Sequence, residues 1–167
     1  QDLVDEDHLS ATGLDASRND VTTVTFHRGD ETTTLVQGDN LTVGALREQF
    51  DPADLIVTFN GKRFDVPFLE QSFDLSIDVP HVDLMYPCKR LGLTGGLKQV
   101  EQDVSIDRDR PDLSGRDAVR LWRQYERGDD DALDTLVSYN RDDTENLRTL
   151  MDRVTGSLHD ETFVESA

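Results

Sequence analysis

Two carboxylates and a phenol stand out by residue type and spacing. Asp65 closes the segment Asn60-Gly61-Lys62-Arg63-Phe64-Asp65, which follows the apolar run Leu55-Ile56-Val57. That order puts a carboxylate just beyond the end of a central strand, where open α/β sheets place their ligands. In Tyr139-Asn140-Arg141-Asp142-Asp143, the phenol and the last carboxylate are four residues apart in a helical pattern, so they share one helix face. A carboxylate can hold a divalent ion, and a phenol beside it can orient the attacking water. Such groups suit two-metal phosphodiester hydrolysis. Each also has a plain reading. Asn60-Gly61 is turn chemistry and Asp65 can cap the next helix. Tyr139 can be a half-buried core residue, and Asp143 a solvated charge in a very acidic chain.

The elements that must position these groups read as an α/β order. Val21–His27 alternates Val, Thr and Phe and predicts a strand. Arg28-Gly29-Asp30 turns the chain into a returning strand over Thr32–Val36. Leu41–Phe50 predicts a helix capped near Asn40 or Thr42. Leu55–Phe59 is a short apolar strand, Val66–Phe73 a short helix with Pro67 in its first turn, and His81–Leu84 a further extended segment. Helices are expected over Leu97–Val104, Gly115–Arg127 and Asp131–Val154. A mixed sheet with helices packed on it accommodates this order. Residues 1–155 then form one domain, and 156–167 a polar C-terminal tail.

Composition bounds the partners. The 167 residues suffice for one domain with a sizeable core. Lys and Arg total 17 against 35 Asp and Glu, a net charge of −18, with 26 Asp to 9 Glu and 14 Arg to 3 Lys. Such a surface stays hydrated in concentrated salt, where repulsion is screened, and resembles that of proteins from salt-accumulating, halophilic microbes. It predicts weak non-specific binding to nucleic-acid backbones, since counterion release has few cations to work with. Cys88 is alone, and His8, His27, His81 and His159 lack ligand spacing, which argues against structural zinc. No apolar run reaches membrane-spanning length and no signal peptide is visible, so a cytoplasmic protein without a membrane partner is expected.

Taken together the segments resemble the DnaQ-like exonucleases of the ribonuclease H-like superfamily, and within them the YprB-type ribonuclease H-like domain. The resemblance runs from about Thr12 to Met151. It rests on Val57-Thr58-Phe59-Asn60-Gly61-Lys62-Arg63-Phe64-Asp65-Val66-Pro67-Phe68-Leu69, on His81-Val82-Asp83-Leu84, and on Arg90-Leu91-Gly92-Leu93 with Gly95-Gly96-Leu97-Lys98 and Glu101. It continues through Gly115-Arg116-Asp117-Ala118-Val119-Arg120-Leu121-Trp122 and Tyr139-Asn140-Arg141-Asp142-Asp143. It implies an α/β fold with a mixed sheet flanked by helices. It implies that Asp65 and Asp143 ligate metal, that Tyr139 orients water, and that Asp83 lines the site as an accessory acid. The reaction implied is 3′-to-5′ hydrolysis of a single-stranded nucleic-acid end with two Mg²⁺ or Mn²⁺ ions. Asn60 could reach the substrate, and Lys62 and Arg63 a phosphate, although the two cations could equally offset nearby acids. Stacking could come from Phe64 or Tyr86, with Phe64 assigned to the core by its apolar surroundings.

One motif departs from the family. Its first strand carries Asp-x-Glu before a Thr-Gly-Leu-like turn. Matching Thr12-Gly13-Leu14 to that turn puts His8 and Ser10 where the two acids belong. His8 is a poor Mg²⁺ ligand, and Ser10 brings no charge. Either the first strand is degenerate and the chain is a pseudo-nuclease that binds nucleic acid or protein, or the acidic strand precedes Gln1 and Gln1–Leu14 is an insertion after it. The absent Met and the polar start favour the second. Asp5 and Asp7 have pair spacing but little strand character around them.

Overall fold

The computed structural model describes residues 8–17 and 20–164. Alternating Val and Thr residues build β2 (Asp20–Arg28), which turns at Gly29 (φ 57°) into β3 (Glu31–Val36). The pair is antiparallel, with Thr25 opposite Thr34 and their hydroxyls 3.1 Å apart. α1 (Val43–Phe50) starts at Thr42, whose hydroxyl accepts the Ala45 N–H at 3.1 Å. Next come β4 (Leu55–Thr58), α2 (Asp65–Phe73), β5 (His81–Asp83) and α3 (Met85–Arg90). α4 (Leu97–Asp103), α5 (Gly115–Glu126) and α6 (Asp130–Val164) complete the order.

The polar N-terminal segment holds a strand that its composition did not foretell. β1 (His8–Ser17) runs antiparallel to β2 and parallel to β4, giving the sheet order β3-β2-β1-β4-β5. His8 pairs with Leu55, Leu9 with Ile56 and Ser10 with Val57. Residues 8–14 are therefore strand, not insertion. Thr12-Gly13-Leu14, matched above to a turn, lies at an irregularity of the β1–β2 register. Backbone pairing on both edges supplies what the side-chain pattern lacks. Asp5 and Asp7 lie outside the described residues.

Successive strand side chains alternate between the two faces. Ile56 joins Val24, Phe26, Leu46, Phe50 and Leu69 in the core under α1 and α2. Its neighbour Val57 packs instead with Val100, Leu147 and Leu150 under α4 and α6. A third cluster, Leu121, Trp122 and Leu136, joins α5 to α6. Asn140 is buried where α6 crosses β2, and its amide donates to the Thr23 hydroxyl at 2.7 Å. α6 does not stop near Gly156 but runs to Val164, with Leu158 packed on the second cluster. The polar stretch expected as a tail is thus largely helical. Among the described residues no helix is long and apolar enough to cross a membrane.

Candidate functional site

β4 and β5 are parallel neighbours with Thr58 opposite Asp83, so the loops leaving both strands emerge together. Asp83 is buried and ties them to each other. Its Oδ1 accepts the N–H of Asn60 at 2.7 Å and of Met85 at 3.0 Å, and its Oδ2 that of Lys62 at 3.2 Å. The turn needs this help because Asn60 is left-handed (φ 62°), a conformation that Asn tolerates better than most residues. Gly61 completes the turn. Its N–H reaches the Thr58 hydroxyl at 3.2 Å, and a Cβ there would lie 2.6 Å from the Thr58 Cβ and Oγ1. Gly61→Ala is therefore expected to destabilise the chain by about 1–3 kcal/mol; an unchanged urea midpoint would contradict so close an approach.

The bracketed turn delivers Asp65 as the first residue of α2. The cap position is Phe64, which makes no side-chain cap bond, so capping is not what Asp65 does here. Burial, then the charges of Asp83 and Asp143, push its carboxyl up to about 6. Asp143 comes from α6 on the other side of the site. Burial is the main cause that raises its carboxyl to about 6, with Glu101 and Asp142 adding to the rise and Arg108 opposing it.

Arg108 had no role in the sequence reading, and Glu101 only a place in the resemblance. The Arg108 guanidinium lies 2.5 Å from Asp143 Oδ1. It also holds both oxygens of Glu101, Nε to Oε2 at 2.5 Å and Nη2 to Oε1 at 2.9 Å. Its centre lies 5.8 Å from the Tyr139 ring centroid, within cation–π range. The side chains of Arg108 and Glu101 are 4% and 1% exposed. A buried acid on α4, between Val100 and the Val104 that ends the helix, was a readable sign that a cation must reach it, but nothing local said which of 17 bases would.

Asp143 is near enough to Asp65 for its charge to act on that carboxyl, and Tyr139 and Asp143 both lie against Arg108, whereas Asp83 is spent on three amides and serves as a bracket. Lys62 and Arg63 are exposed on the turn. Phe64 is not core: it is 55% exposed, with Arg63 over its ring at 5.4 Å, and Tyr86 on α3 is 54% exposed. The donors do not fit a pair of hard divalent ions. Such ions need several uncommitted carboxylate oxygens, yet Asp83 is committed and Asp143 is paired with a guanidinium. The strand β1 brings His8 and Ser10 opposite Leu55 and Val57. Among the described residues no cluster of three His, Cys, Asp or Glu is placed to hold a metal.

A five-stranded mixed sheet in this order, with helices on both faces, is the ribonuclease H-like α/β fold. The family model RNase_H_2, of the RNase_H superfamily, matches residues 9–155, and the chain belongs to that superfamily. No curated protein matches it. A solved structure, the family B DNA polymerase from the hyperthermophilic archaeon Pyrobaculum calidifontis, is similar in fold. The TM-score is 0.68 at 15% identity, covering 89% of this chain and 24% of the polymerase.

Proposed function

We propose that this domain binds single-stranded nucleic acid and does not cleave it by the two-metal route, a pseudo-nuclease of YprB-type ancestry. The observation that carries this reading is the β1 register. The residues opposite Leu55 and Val57 on the strand leading to the Asn60 turn are His8 and Ser10, where the resemblance implies two acids. The exposed rings of Phe64 and Tyr86, beside Lys62 and Arg63, offer stacking faces and cations on a chain that is otherwise strongly acidic. The acid-rich composition supports a halophilic, cytoplasmic setting in which such stacking outlasts phosphate contacts as salt rises.

Labelled single-stranded DNA and RNA, titrated in concentrated KCl with and without Mg²⁺ or Mn²⁺, test this. The expected result is binding without shortening, weakened about tenfold by Phe64→Ala or Tyr86→Ala. A second reading, a metal-dependent 3′-5′ exonuclease, has one observation in its support: Tyr139 and Asp143 both lie against Arg108, and the charge of Asp143 helps to push the Asp65 carboxyl up. Metal-dependent loss of nucleotides from the 3′ end would establish that reading and remove the first.

A further inference from the structure

We infer that Arg108 is a built-in counter-ion that holds Asp143 in place of a divalent metal, so that the acidic site is completed by the chain itself. The inference rests on the binding reading above and gives Asp143 a cation from the chain itself, where the donors do not fit a pair of metal ions. The guanidinium bridges two carboxylates from different helices, Glu101 on α4 and Asp143 on α6. Its pairing with Glu101 is two-pronged, the geometry that a planar guanidinium favours. Its position is fixed from both sides. Asp142 Oδ2 accepts the Arg110 N–H at 3.0 Å, and the Asn146 amide donates to the Asp107 carbonyl at 3.2 Å. Lys98 donates to the Leu113 carbonyl at 2.9 Å, tying the same loop to α4. A surface arginine would swing away from an arriving metal at little cost. This one is buried and would leave Glu101 buried without its partner.

Thermal unfolding and Mn²⁺ calorimetry on the whole chain test the idea, with wild type, Arg108→Met, and Arg108→Met combined with Glu101→Gln. The double variant removes both charges of the α4 pair and keeps the test available if the single variant folds poorly. The wild type is expected to show no saturable Mn²⁺ heat and no change in melting temperature. The double variant is expected to gain Mn²⁺ binding at Asp143 and Asp65, and its melting temperature to rise by about 5 °C with saturating Mn²⁺. In wild-type protein the Arg108 Nε–H resonance should stay sharp when Mn²⁺ is added. Equal Mn²⁺ binding by wild type and double variant, or broadening of that resonance in wild type, would overturn the inference. A wild type that ignores Mn²⁺ while the double variant binds it, and that fails to bind oligonucleotide, supports the resident counter-ion while overturning the binding function, so the two fail separately.

Discussion

Asp83→Ala is expected to lower stability by about 3 kcal/mol and to abolish oligonucleotide binding together with it. Three backbone N–H groups, those of Asn60, Lys62 and Met85, lose their acceptor in one substitution. A hydrogen bond to a charged group contributes about 1.5–3 kcal/mol, and a buried donor left unpaired costs about 1–3. The three do not add fully, because water can enter the opened turn, and because Asp65 loses a like charge that raises its pKa. The second readout follows from topology. The bracket joins the turn after β4 to the start of α3, and those two pieces carry Phe64 and Tyr86. Losing it frees the two rings from each other. Urea unfolding and the oligonucleotide titration check both effects. Full-strength binding by a destabilised Asp83→Ala would show that the rings do not act as a pair. Asp83→Asn should fall between, since one amide oxygen keeps one lone-pair side while its NH₂ opposes a backbone N–H.

The contrast between Asp83 and Arg108 shows what a sequence makes legible. Elements with their own period were readable: the Val/Thr alternation of β2, the apolar run of β4, and the Tyr139–Asp143 face of α6 all stand where the pattern put them. β1 was not, because its strand character comes from pairing with β2 and β4 on both edges rather than from its polar residues. Phe64 misled for the opposite reason. Its neighbours Val66 and Leu69 are buried, but it sits at the cap, before the helix sets which face looks inward. The six-residue α3 drew no expectation from the sequence; Pro87 stands in its first turn, where its missing N–H costs little. α6 passed through Gly156 because one glycine costs about 1 kcal/mol, too little to end a helix already packed along the sheet. Asp65 was read as a site acid from the turn before it, whereas the cation beside Asp143 lies 35 residues away on a loop. Long-range charge pairing leaves no local trace among 35 acids and 17 bases.

Asp65→Asn is expected to stabilise the chain at pH 8 and to leave it almost unchanged near pH 4. The Asp65 carboxyl is raised from 3.8 to about 6 in the folded state. A folded-state pKa above the unfolded value means that the folded chain holds the extra proton between those limits. The stability this supplies is complete below about pH 4 and is lost as pH rises through about 6. Asp143 is raised to about 6 as well and acts in the same direction, so wild-type stability should decline from pH 4 to pH 7. A shift of this size corresponds to about 3 kcal/mol for a fully buried group, and partial exposure of Asp65 reduces the expectation to about 2. The neutral Asn removes that penalty at high pH and flattens the profile. Burial, the first cause of the shift, is not screened by salt, so the difference should survive in concentrated KCl, whereas the part due to Asp83 and Asp143 should shrink. Urea unfolding of both proteins across pH 4–8, without divalent ions, measures it. A variant less stable than wild type at pH 8 under those conditions would show that the Asp65 carboxylate is held by a favourable partner rather than merely tolerated. If Mg²⁺ reverses the order at pH 8, making wild type the more stable, then Asp65 binds metal after all and the exonuclease reading gains the carboxylate it needs.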